Sequence, residues 1–91
     1  MDVGVLKQAI ETYGVDAQLN VAIEEFSELT KEICKYKRGA DNRSEILEEM
    51  ADCYIMLEQM QFMFNLNFRT IASVMNEKVE RLRGRLEGEQ K

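Results

Sequence analysis

Apolar residues recur along most of this chain at intervals of three and four, the spacing that lines one face of a helix. A first, short periodic stretch covers residues about 2 to 13. A second starts after Asp16, a candidate N-cap, and runs to about Arg38. Its stripe is Leu19, Ala22, Ile23, Phe26, Leu29, Ile33 and Tyr36. A third begins near Asn42 or Ser44, where Asn42 with Glu45 resembles a capping box. Its seam is Ile46, Met50, Cys53, Leu57, Met60 and Phe64, stepping by four and three as antiparallel helix packing requires. Asn65-Leu66-Asn67 reads as a turn, and a fourth stretch carries Phe68, Ile71, Met75, Val79, Leu82 and Leu86. Its polar end, Gly84 to Lys91, is expected to fray. Gly14 and Gly39 each close a periodic segment.

These stripes predict an all-α fold, a four-helix bundle. Phe62, Met63 and Phe64, beside Met56 and Met60, make the third helix apolar on more than one side. A helix with two apolar sides has two neighbours, and in so short a chain one of them is expected to belong to another subunit. The bundle is therefore expected to be completed by oligomerisation, which would also stabilise a single domain with only a modest core.

Composition narrows the chemistry. Proline and histidine are absent, and the net charge is −5 from 12 basic and 17 acidic residues. An acidic domain lacks the basic footprint that duplex nucleic acid needs. Without histidine there is no catalytic triad and no histidine metal site. Cys34 and Cys53 both fall within helical apolar patterns and are read as buried free thiols, which points to a reducing, cytoplasmic setting. The N-terminus has no basic region followed by an apolar run, and no apolar stretch approaches the roughly 18 residues that span a bilayer, so neither secretion nor membrane insertion is expected.

The acids carry the most information. Helix two contains Glu24-Glu25-Phe26-Ser27-Glu28, and helix three Glu48-Glu49-Met50-Ala51-Asp52. Residues three apart share a helix face, so Glu25 projects with Glu28, and Glu49 with Asp52. A turn near Gly39 to Asn42 makes the two helices antiparallel and brings the pairs roughly level. Four converging carboxylates repel, each close pair by about 4 kcal/mol at 4 Å and an effective dielectric near 20. Protonation, basic partners or a divalent cation would cancel that repulsion. An oxygen-only ligand set favours Mg²⁺, with Mn²⁺ or Ca²⁺ as alternatives. Ordinary surface pairing is the competing reading, since Glu28 has Lys31 and Lys35 downstream.

Glu24-Glu25-x-x-Glu28 followed by Glu49-x-x-Asp52 resembles the EExxE…ExxD signature of the MazG-like, all-α nucleoside triphosphate pyrophosphohydrolases. Asn76-Glu77-Lys78-Val79-Glu80-Arg81 resembles that family's third segment, an NxK followed by a spaced arginine. The resemblance covers residues about 16 to 83 of a single domain, 1–91. It implies hydrolysis of a nucleoside triphosphate to monophosphate and pyrophosphate, with Glu25, Glu28, Glu49 and Asp52 on Mg²⁺. It implies a supporting role for Glu24, which serves a second ion or orients the water. Asn76, Lys78 and Arg81 would lie near the phosphates, and Tyr36-Lys37 falls where some relatives hold base and phosphates. Tyr36 reads equally as a core or interface tyrosine, and Arg81 as a surface partner of Glu77. Some relatives carry a lysine four residues before the asparagine, where this chain has Ala72, which puts one phosphate contact in question. The family assembles as dimers or tetramers with sites between subunits, so a homodimer or homotetramer is expected. Two other readings are a non-catalytic helical interaction module and a phosphoribosyl-ATP-type pyrophosphohydrolase.

Overall fold

Good helix formers and a lack of proline leave little to interrupt the periodic segments. In the computed structural model, which describes residues 1–89, the segments are α1 (Val3–Tyr13), α2 (Val15–Lys37), α3 (Arg43–Met63) and α4 (Phe68–Glu89), with no strand among the described residues. The expected fraying was too broad: Gly84 to Glu89 continue α4, and residues 90 and 91 lie outside the described residues.

The helix boundaries follow local chemistry. Asp2 caps α1 by accepting from the Val5 N–H at 3.3 Å. Gly14, at φ 92°, ends α1 and begins α2, so Asp16 lies inside the first turn of α2 and not at its cap. Its acidic side chain there still complements the helix dipole. At the end of α2, Ala40 N–H donates to the Lys35 carbonyl and Gly39 N–H to that of Tyr36, at 3.1 and 3.0 Å. That is a Schellman motif, with Gly39 at φ 99° supplying the left-handed residue. Asn65, at φ 53°, does the same for α3, with Leu66 N–H donating to the Gln61 carbonyl at 2.8 Å. Asn67 Oδ1 then accepts from the Thr70 N–H at 2.8 Å and caps α4.

The capping box at Asn42 and Glu45 does not form. The Asn42 side chain makes no cap bond and reaches back across the turn to Glu32 instead.

Helices α2 and α3 pack as a long antiparallel hairpin, and α1 lies against both. The buried apolar residues are few: Leu6, Ala22, Cys53 and Met56. Cys34 is exposed, contrary to expectation. It lies about a third of a turn round α2 from Ala22, off the face that packs on α3. Several expected stripe residues are also exposed, among them Ile23, Ile33 and Tyr36 on α2 and Met50, Leu57 and Phe64 on α3. Together with Leu47 and Tyr54, the α3 residues Met50 and Leu57 form an apolar stripe that is largely exposed.

The fourth helix departs most from a closed bundle. It buries none of its residues and packs extensively on no other helix. Met75, Val79, Leu82 and Leu86 share one face and are each about half exposed. The radius of gyration is 16.6 Å, against about 12 Å for a compact domain of this length. The accessible surface is 7333 Å², about 1,900 Å² above that of a typical folded monomer of this mass.

Candidate metal centre

The hairpin brings the acids together as the three-residue spacing requires. Glu25 on α2 and Glu49 and Asp52 on α3 each offer a carboxylate oxygen, all within 4.8 Å of one another. Glu25 and Glu49 are half-buried. Behind them the Cys53 thiol donates to the Glu25 carbonyl at 3.5 Å, which ties α3 to α2 at the level of the cluster. Burial pushes the thiol up, and the carboxylates of Glu25, Glu49 and Asp52 add to it. Cys53 is therefore an inert structural thiol.

Glu28, the fourth expected ligand, is exposed and pairs with Lys31 at 3.4 Å, outside the converging three. It remains close enough to act on the cluster: its charge helps raise the carboxyls of both Glu25 and Glu49. Glu24 is exposed and is not among the charges that raise either group.

Burial is the largest cause holding the Glu25 carboxyl above the ordinary 4.5, followed by hydrogen bonding to Asp52 and the charges of Asp52, Glu49 and Glu28. Glu49 is raised by burial first, then by Asp52, Glu28, Glu32 and Glu48. Its Oε2 is buried with no hydrogen-bond partner. An orphaned carboxylate oxygen beside two other carboxylates fits a hard cation, since oxygen donors with no nitrogen or sulfur suit Mg²⁺ or Mn²⁺.

These shifts fix a pH dependence. Glu25 and Glu49 hold protons to higher pH when folded than when unfolded. Folding stability of the metal-free chain therefore falls as pH rises from 4.5 through the raised values. Glu32 acts oppositely. Lys35 is the largest cause lowering its carboxyl, so its contribution is present above 4.5 and lost as pH falls through the lowered value. With chelator present, the thermal midpoint should decline as pH rises above 4.5, and Glu49→Gln should flatten the decline. A wild-type midpoint that climbs steadily up to about pH 8 would sink this account.

The remaining expected site residues stand apart from the cluster. Tyr36 is 57% exposed on an open groove that it shares with Arg43, Ile46, Leu47 and Met50; Lys37 is exposed beside it. Asn76, Lys78 and Arg81 lie along α4, all exposed. Asn76 and Arg81 edge one hollow, while Lys78, Arg81 and Arg85 edge another. Arg81 makes no ion pair with Glu77; the pair that forms on α4 is Glu80 with Arg83 at 3.2 Å. Since α4 packs extensively on no other helix, its cations do not complete the cluster of their own chain. Ala72 is half-buried.

Sequence reasoning missed Glu32 and Asn42, which are buried at the end of the hairpin nearest the turn. Their sequence signal was a spacing of seven residues from Glu25 and Glu49, close to two helical turns. It missed Gln59 as well, which is 3% exposed and donates to the Leu6 carbonyl at 3.3 Å.

No protein-family model, curated protein or solved structure matches the chain. No helix among the described residues is long and apolar enough to cross a membrane.

Proposed function

We propose that the chain is a Mg²⁺-dependent nucleoside triphosphate pyrophosphohydrolase of the MazG-like kind, converting an NTP or dNTP and water to a monophosphate and pyrophosphate in nucleotide-pool house-cleaning. The observation that carries the reading is the convergence of Glu25, Glu49 and Asp52 from facing helices, with one buried carboxylate oxygen left unpartnered. Those three residues would hold the ion, Mn²⁺ substituting for Mg²⁺, and Glu28 would join through one of its oxygens. Bound there, a divalent cation supplies charge neutralisation and polarises the phosphate under attack. Glu28 or Glu24 would serve as the general base, since the chain has no histidine to do so. It would take a proton from water as the new P–O bond forms and the bond to the leaving pyrophosphate breaks.

Lys78 and Arg81 would offset charge on that leaving group, with Asn76 beside them. Because α4 stands off its own hairpin, a second copy would bring these residues to the cluster, and a homodimer or homotetramer is part of the proposal. Charge supports the pairing: residues 68–89 carry five basic and four acidic side chains, residues 1–67 six basic and thirteen acidic. Tyr36 and Lys37 would face base and phosphates. The two free thiols accord with a reducing cytoplasmic setting.

The test is pyrophosphate release with Mg²⁺ from canonical, deoxy and damaged nucleoside triphosphates and from phosphoribosyl-ATP, with Glu49→Gln as control. Turnover of at least one triphosphate that the control lacks is expected. Silence across the panel would sink the reading, and turnover of phosphoribosyl-ATP alone would replace the substrate. Lys78→Ala and Arg81→Ala should each lower kcat/KM about ten- to hundredfold, the cost of about 1.4 to 2.7 kcal/mol in transition-state charge stabilisation.

A further inference from the structure

Two polar pairs bracket the carboxylate cluster at equal spacing. Glu32 lies seven residues after Glu25, and Asn42 seven residues before Glu49. At the other end, Gln18 lies seven before Glu25 and Gln59 seven after Asp52. Seven residues are close to two turns, about 10.5 Å along the axis, so each residue shares the helix face of the cluster member it flanks. All four are buried.

Glu32 and Asn42 touch. The Asn42 Nδ2 donates to the Glu32 backbone carbonyl at 2.9 Å and to its carboxylate Oε1 at 3.3 Å. The second carboxylate oxygen accepts from Lys35 Nζ at 3.1 Å. Asn42 forgoes its helix-capping bond to make this contact, and its Oδ1 remains buried without a partner. A buried amide that gives up a local bond and leaves an acceptor unsatisfied is costly, so the cross-helix contact has a purpose that helix capping does not explain.

The apolar core offers few large buried side chains to define register. Between α2 and α3 the buried apolar residues are Ala22, Cys53 and Met56, two of which are small, while Phe26, Leu29, Ile46 and Ile55 are only half-buried. Small side chains leave a smooth seam that tolerates sliding, whereas a directional polar contact has one register, as with a single buried asparagine in a coiled coil. A slip of one residue would move α3 about 1.5 Å along its axis and turn its side chains about 100°, enough to separate carboxylate oxygens that now lie within 4.8 Å.

We propose that Asn42 and Glu32 are positioning residues: their contact sets the register of the α2–α3 hairpin, and through it the alignment of Glu25 with Glu49 and Asp52. The functional consequence rests on the metal-centre reading above; the register itself does not.

The test uses Asn42→Ser and Glu32→Gln in the full chain. Serine is a favoured N-cap and keeps α3 intact, but it is too short to reach Glu32. Glutamine keeps the backbone carbonyl and a side-chain acceptor while removing the charge. Two quantities are read: the Mg²⁺ or Mn²⁺ concentration giving half of the thermal shift, and the reactivity of Cys53 toward an aromatic disulfide. Exposed Cys34 reacts in every variant, so the count of fast thiols reports whether the buried Cys53 has turned outward. Asn42→Ser should raise the metal midpoint at least about tenfold and make the second thiol react, the loss of about 1.4 kcal/mol or more in binding. Glu32→Gln should stay within about threefold of wild type with one fast thiol, under about 0.7 kcal/mol. Should Asn42→Ser fail to fold, Asn42→Gly, a tolerated N-cap that also lacks the side-chain donor, gives the same readings.

A folded Asn42 variant with wild-type metal midpoint and one fast thiol overturns the proposal. So does a Glu32→Gln variant as impaired as Asn42→Ser, because charge and not register would then be at work. If wild type shows no metal response but Asn42→Ser still exposes Cys53, the register role stands and the metal-centre reading falls.

Discussion

Glu25→Gln and Asp52→Asn variants should remain folded and lose pyrophosphohydrolase activity by about three orders of magnitude, and EDTA should do the same to the wild type. Metal stabilisation of transition-state charge is worth several kcal/mol, and about 4 kcal/mol corresponds to a thousandfold in rate. Both substitutions keep shape and hydrogen-bonding capacity while removing one charge from a cluster whose oxygens lie within 4.8 Å. The metal-free variants should be no less stable than wild type, because each removes a charge from a cluster where burial first, and then mutual repulsion, hold Glu25 and Glu49 above their ordinary range. Mg²⁺ should raise the melting temperature of the wild type and not of the variants, since only a folded cluster binds. Full activity in either variant, or activity that survives EDTA, would defeat the metal assignment. A wild type with neither activity nor a thermal response would favour the helical interaction module.

The second large effect concerns assembly. Sedimentation at micromolar concentration should give a dimer or tetramer, and Met75→Glu with Leu82→Glu should give a monomer. Both residues lie on the open apolar face of α4. Both side chains are about half exposed, so covering the rest stabilises by about 0.8 to 1.5 kcal/mol each, and the double change should weaken association at least about tenfold. The surplus of about 1,900 Å² over a typical monomer comfortably exceeds the roughly 800 Å² per partner of a standard interface. A stable wild-type monomer at that concentration would remove the second copy, and with it the means of bringing Lys78 and Arg81 to the cluster. Activity of the double variant reads the same point: loss along with assembly is expected, and full activity in the monomer would show that α4 supplies nothing across subunits.

Four helices and their order were legible in the sequence because apolar spacing and turn chemistry are local. Gly39 and Asn65 mark the two Schellman ends, and the three-residue spacing of Glu49 and Asp52 needs only helix geometry to put both on one face. The helix boundaries were less secure. Asp16 looked like a cap because acids favour both the cap and the first turn, and the choice went to Gly14, whose positive φ breaks the helix. Asn42 looked like half of a capping box because its partner across the turn is ten residues away and outside any local pattern.

What the sequence by itself determined is therefore the helical class, the hairpin and the three-residue spacings that put Glu25 with Glu28 and Glu49 with Asp52 on one face of each helix. Those follow from periodicity and from a turn of known length. The tertiary structure decided which of the acids converge. Glu28 faces solvent and Lys31, while Glu32 folds inward to Asn42, a distinction set by how α3 is rotated against α2. It also decided that Cys53 is buried and Cys34 is not, and that α4 packs extensively on no other helix among the described residues. An apolar stripe announces that a helix face must be covered; only the packing of whole helices says whether the cover comes from the same chain.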